Sequence, residues 1–254
     1  MILKELENLE GAHKLKFLIE NKAAILKAKK GMIKTADPIS STPNHFKSTA
    51  TKSMLEEGLY KIVANSCGFF DSHQDVSLRG SFDKTVREKG NALPIIINHD
   101  HSPQAIFAKN KGVEIEEIQI KSLGYDMEGT TQCVTAKIDP KYNEKMSELY
   151  EGGEIKQHSI GLRYVQIELA INDSSDNEAF AAWNKYIGQV INRSEAEANG
   201  YFFAVKEQQL FEISAVLFGS NQYTPTLSLN TQEPQKSIAL RDGEPKKLNF
   251  SFKF

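Results

Sequence analysis

From Gly58 to about Thr226 apolar and polar residues mostly alternate, the two-residue period of half-buried strands. LYKIVANSCGFF (59–70), LPIIIN (93–98), VEIEEIQIKSL (113–123) and TQCVTAKI (131–138) show this alternation or a strand-type composition. Two longer runs, 154–171 and 201–218, read as long strands that bend or break. Helical signals are short. The 81–90 segment runs from Ser81 to Gly90, and 140–153 runs from Pro140 to a glycine pair. Residues 174–200 read as one inserted helix stopping near Gly200.

The period changes at the two ends. In residues 2–30, Leu3, Leu6, Leu9, Leu15, Leu18 and Ile25 lie near helical spacing, which predicts one amphipathic helix stopping at Gly31. Eight lysines (4, 14, 16, 22, 27, 29, 30 and 34) face four glutamates (5, 7, 10 and 20) there. Such a helix either packs on the body or serves as a docking or removable segment. Residues 35–53 are rich in Ser, Thr and Pro, and read as a linker or arm. After 226 the chain turns polar again. The expected organisation is an N-terminal helix (1–34), a linker (35–57), a main domain (58–226) and a tail (227–254). Many strands with few long helices predict an α+β domain built on an antiparallel barrel or sandwich.

Composition narrows the function classes. The 254 residues are 40% hydrophobic and 25% charged, with a net charge of −2, values ordinary for a globular domain. No basic excess is present to neutralise phosphates, which argues against nucleic acid as a partner. No apolar run reaches the length of a membrane span. The charged N-terminus does not read as a signal peptide. Cys67 and Cys133, with no CxxC, argue against a zinc site and fit a reducing cytoplasm.

Candidate chemistry is sparse. IKQHSIGLRY (155–164) places His158 beside Ser159, but successive strand side chains point to opposite faces. A base for Ser159 must therefore come from elsewhere. His13 lies in the charged helix and His45 in the linker. His99 ends the apolar run LPIIIN, where a strand can hold it at a cleft; a structural histidine is the competing reading. Glu212 lies in the apolar strand QQLFEISAVLF, sharing a face with Ser214 and Val216, opposite Phe211, Ile213, Ala215 and Leu217. A carboxylate buried there needs a partner. That partner is either a cation such as Arg163 or a catalytic histidine. GxSxG, P-loop, GxGxxG and HExxH patterns are absent. NHDH (98–101) suggests metal ligands, with no convincing third.

Four pieces occur in a set order: DSHQDVSLRGSF (71–82), ALPIIINHDHSPQAIF (92–107), IKQHSIGLRY (155–164) and LFEISAVLFGSNQYT (211–224). Together they resemble the prohead proteases of tailed bacteriophages. The matching residues are Asp75 with Gly80-Ser81-Phe82, then Asn98-His99-Asp100, Ser159-Ile160-Gly161, and Leu210 through Val216. Two features depart from that pattern: Gly219-Ser220 replaces the family's proline before the closing Asn, and 174–200 lengthens the interval between Ser159 and Glu212. The resemblance covers about 58–226. It implies a small, mostly antiparallel β-barrel surrounded by helices, as in herpesvirus assemblin.

The resemblance also implies a serine endopeptidase with a His99, Ser159, Glu212 triad, Asp100 and Glu168 being next in line for the acid. A backbone oxyanion hole is expected, near Gly161–Arg163 as a first guess. No cofactor and no metal are implied. The implied substrates are scaffold protein, major capsid protein and the protease itself, inside the procapsid in the host cytoplasm, with a homodimer as a candidate assembly. The competing classes are an inactive capsid-assembly protein on the same barrel and a metal-dependent hydrolase built on NHDH.

Overall fold

The computed structural model describes residues 2–34 and 58–227. The expected linker, and the tail beyond 227, lie outside them. Among the described residues the fold is α+β, with seven α-helices and one eight-stranded sheet. The strands are β1 (Tyr60–Ser66), β2 (Asp75–Ser77), β3 (Ile95–Ile97), β4 (Ile106–Gln119), β5 (Thr130–Asp139), β6 (Gln157–Ile171), β7 (Tyr201–Val216) and β8 (Thr226–Leu227). Sheet order is β2-β7-β3-β4-β5-β1-β8, with β6 on the other edge of β7. Pairing is mostly antiparallel; only β2 and β3 run parallel to β7.

The ladder is open, so it does not by itself show a barrel: β8 pairs with β1 and not with β6. Single backbone bonds span the gap. Val63 N–H donates to Pro225 O (2.9 Å), and His158 N–H donates to Thr224 O (3.1 Å). The segment 224–227 is thus tied to β1 on one side and to the start of β6 on the other.

Where one N-terminal helix is expected, three form: α1 (Ile2–Glu7), α2 (Gly11–Glu20) and α3 (Lys22–Gly31). Gly11 takes φ +51°, a left-handed conformation that breaks the first pair. Asn21 leaves helical geometry between the second pair. Across these breaks Leu6, Leu18 and Ile25 enter the same core as Tyr60, Phe107 and Ile213. The inserted segment also divides, into α6 (Asn177–Tyr186) and α7 (Arg193–Asn199). Asp176 caps α6 by accepting from the backbone of Glu178 and Ala179 (both 3.0 Å) and also binds Lys22 Nζ at 2.7 Å. The two other helices, α4 (Asp83–Lys89) and α5 (Glu144–Glu151), start later than expected. Asn143, and not Pro140, caps α5 through Met146 N–H.

A buried ionic cluster fastens the N-terminal helices to the body. Asp75 on β2 accepts from Lys29 Nζ (2.8 Å), Lys34 Nζ (2.6 Å) and Tyr164 OH. Burial alone would raise the Asp75 carboxyl, but the two lysines outweigh it and hold the group well below the usual carboxylate range. Lys34 also pairs as a strand residue with Leu162 on β6, N–H to O at 2.7 Å and O to N–H at 3.0 Å. A chain cut anywhere in 35–57 is therefore expected to keep residues 1–34 bound through gel filtration. Asp75→Asn leaves Lys29 buried without its anion and Lys34 with Asp71 alone (3.1 Å), a loss of about 3–5 kcal/mol, and should release the fragment or unfold the protein. Free elution of the wild-type fragment would contradict this role for the cluster.

Candidate active site

β7 organises the site. Its register with β6 pairs Ser214 with Ser159 and Glu212 with Gly161. Residues directly opposite on paired strands share a face. Ser159, Gly161, Glu212 and Ser214 therefore line one face, while His158 and Ile160 pair with Ala215 and Ile213 on the other. On β7's second edge, β3 runs parallel, with Ile97 beside Ala215.

Beyond β3 the chain makes a strained turn. Asn98 and His99 both take left-handed conformations, φ +51° and +56°. Such geometry costs a non-glycine residue about 1–2 kcal/mol, and it persists only where surrounding contacts impose it. Here Asn98 N–H donates to Ala215 O (2.9 Å), and His99 N–H donates to Ser214 Oγ (3.1 Å). The turn brings the His99 ring over Glu212, with Nδ1 at 2.5 Å from Oε1. The second carboxylate oxygen, Oε2, accepts from Ser214 Oγ at 2.8 Å. Both side chains are deeply buried, 7% and 2% exposed.

A carboxylate only accepts hydrogen bonds, so His99 presents Nδ1–H to Glu212 and leaves the Nε2 lone pair for another group. Nε2 is buried and has no hydrogen-bond partner among the described residues. Ser159 shares the face and is 6% exposed. Its hydroxyl is not hydrogen-bonded to Nε2 here. The structure thus joins His99 to Glu212 and sets Ser159 on their face, without closing the third link. Such links are often long in unliganded enzymes and tighten with substrate.

The remaining candidates separate from this face. His158 is fully buried, its Nδ1 at 3.0 Å from Thr224 O and its Nε2 at 2.9 Å from Tyr150 OH. Burial lowers its pKa to about 4. It stays neutral in the fold but takes up a proton on unfolding below about pH 6.5. The unfolded state thus binds more protons between pH 6.5 and 4, and stability falls as pH drops through that window, by about 3 kcal/mol in all. Urea midpoints should show this slope, and His158→Gln should flatten it. Arg163 does not pair with Glu212; its guanidinium lies 5.5 Å from the Phe211 ring centre. Asp100 accepts from Ser102 N–H and faces solvent, and Glu168 pairs with Lys206. His101 is exposed. Leu217, expected to continue the strand on the face of Phe211, Ile213 and Ala215, lies past the end of β7 and is 75% exposed. Cys67 and Cys133 are buried free thiols. Among the described residues no group of three or more His, Cys, Asp or Glu side chains could hold a metal ion.

Two contributors lacked a legible role in the sequence. Ser214 bridges the Glu212 carboxylate and the His99 backbone; its shared face with Glu212 was the available signal. Gly161 makes room for the acid: a Cβ there would stand 2.5 Å from Glu212 Oε1 and 2.9 Å from Cγ. Gly161→Ala should therefore push Glu212 off His99. Overpacking of this kind costs about 1–3 kcal/mol, and any hydrolytic rate should fall toward that of a Glu212 variant. Unchanged rate and urea midpoint would show that the carboxylate has other room.

Comparison with protein-family models, with curated proteins and with solved structures finds no match to this chain.

Proposed function

We propose that the protein is a serine endopeptidase, with Ser159 as nucleophile, His99 as general base and Glu212 as the orienting acid. One observation carries the reading. The His99 imidazole is held at 2.5 Å by the Glu212 carboxylate on the sheet face that also bears Ser159. Three distant parts of the chain supply a nucleophile, a base and an acid in the roles of a catalytic triad.

In this reaction Ser159 Oγ adds to the scissile carbonyl while His99 Nε2 takes the hydroxyl proton. The same proton passes to the leaving amine as the peptide C–N bond breaks, and water then hydrolyses the acyl-enzyme by the same route. Glu212 stabilises the imidazolium formed at each step. Ser214 positions both partners, by donating to Oε2 and accepting from the His99 backbone.

The biological setting rests on the resemblance to prohead proteases. It places the substrates in scaffold protein, the major capsid protein and the protease itself, within a procapsid in the host cytoplasm, with a homodimer as candidate assembly. The near-closure of the sheet through residues 224–227 supports the barrel of that family. No helix among the described residues is long and apolar enough to cross a membrane.

The unjoined Ser159–His99 link favours a second reading, an inactive capsid-assembly protein on the same sheet. A fluorophosphonate probe separates them. Covalent labelling at Ser159, insensitive to a chelator, supports the protease. No labelling of folded protein supports the inactive reading, and hydrolysis lost on chelation would favour a metal-dependent hydrolase.

A further inference from the structure

The outer edge of β6 carries a backbone donor beside the nucleophile. Ile213 N–H donates to Pro94 O at 3.0 Å, on the β3 side of β7. A strand residue aims its N–H and C=O to the same side, and neighbours alternate. Ile213 therefore turns its polar groups away from β6. Ile160, its partner in register, turns its own away from β7. The contacts on either side agree. His158 N–H reaches outward to Thr224 O, and Leu162 N–H reaches outward to Lys34 O at 3.0 Å. Gly161, one residue from each outward neighbour, points into the β6–β7 ladder. Between two occupied outward donors, the Ile160 N–H has no partner among the described residues.

We propose that the Ile160 N–H is an oxyanion-hole donor for the reaction at Ser159. The inference rests on the protease reading above and replaces the Gly161–Arg163 guess. Leu162 N–H is spent on Lys34, and Gly161 N–H belongs to the ladder. The amide that follows a nucleophile lies within reach of the atom the nucleophile attacks, and other hydrolases use that position in the same way. As Ser159 Oγ bonds to the carbonyl carbon, the C=O π pair moves onto oxygen. The N–H stabilises that charge without taking the proton, which goes to His99. A donor already fixed by β6 needs no reorganisation as the charge develops.

The test removes this one hydrogen. Isoleucine at 160 is replaced by its α-hydroxy analogue through nonsense suppression, turning the amide into an ester with the side chain unchanged. The same exchange at Leu162 is the control. On a peptide substrate the 160 ester should lose about 10²–10³ in kcat, with KM little changed. The 162 ester should keep kcat close to that of the unmodified protein, because the hydrogen it removes is already spent on Lys34 O. Fluorophosphonate labelling of Ser159 should slow in the 160 ester alone. Near-normal kcat in the 160 ester, with Ser159 still labelled, overturns the proposal and leaves the protease reading standing. Failure of the 160 ester to fold where the 162 ester folds also overturns it, because the hydrogen would then belong to an internal bond. Absence of labelling in the unmodified protein overturns both.

Discussion

Ser159→Ala is expected to abolish peptide hydrolysis while leaving the fold intact. The change removes one hydroxyl from a residue that is 6% exposed and keeps the Cβ opposite Ser214. No hydrogen bond of that hydroxyl to His99 Nε2 is lost, because none is formed in this structure. The melting temperature should therefore move by a few degrees at most, on the order of 1 kcal/mol for a domain of this size. Removing the nucleophile of a well-studied serine protease costs about 10⁶ in turnover, and a loss of that order is expected here. The measurement pairs single-turnover hydrolysis with thermal unfolding on one preparation. Hydrolysis within tenfold of wild type, in protein that melts normally, would remove Ser159 from the mechanism.

Glu212→Gln should cost less, but still about 10⁴ in kcat, the value for the equivalent change in a serine protease. The glutamine has two orientations. With its oxygen toward His99 Nδ1, the ring keeps its tautomer but loses the negative charge that stabilises the imidazolium. With its NH₂ toward Nδ1, the ring must present a lone pair there and protonate Nε2, which then cannot act as base. Either way the variant is isosteric, and Ser214 Oγ can turn to accept where it now donates to Oε2. Stability should change less than activity. A rate near wild type would mean that Glu212 only balances the buried histidine. A large loss of fold with little loss of rate per folded molecule would point the same way.

Strands β1, β3, β5, β6 and β7 and the alternation of faces within β7 were legible in the sequence, whereas β4 starts at Ile106, seven residues before its expected start, and ends at Gln119, before its expected end. A two-residue period in a half-buried strand reports directly which side each residue takes, so Glu212 and Ser214 could be set on one face and His158 excluded from Ser159 before any fold was known. Local pattern singled out His99 and Glu212 only as candidates, with a structural histidine and an ion-paired acid as competing readings; grouping them with Ser159 rested on the resemblance to prohead proteases. Elements held by tertiary contact were not legible. The three-residue β2 and two-residue β8 have too few positions to show a period, and both exist because β7 and β1 lend them partners. The N-terminal helices show helical spacing throughout, which does not announce the breaks at Gly11 and Asn21.

The site itself was decided by tertiary structure. Spacing along the chain does not announce the left-handed turn at Asn98 and His99: Asn and His adopt positive φ more readily than most non-glycine residues, but the conformation remains uncommon for either. Contacts from β7 hold that turn. Glu212 accepts from His99 instead of pairing with a cation because β3 lies beside β7, a neighbour 113 residues away in sequence. Gly161 enters the sequence reading only as part of the Ser159-Ile160-Gly161 motif, and only the register with Glu212 shows that its missing Cβ leaves space for a carboxylate. Local pattern determines which face a side chain takes, because the backbone sets it within two residues. Which groups meet across that face depends on long-range pairing, whose register is set by the whole buried sheet.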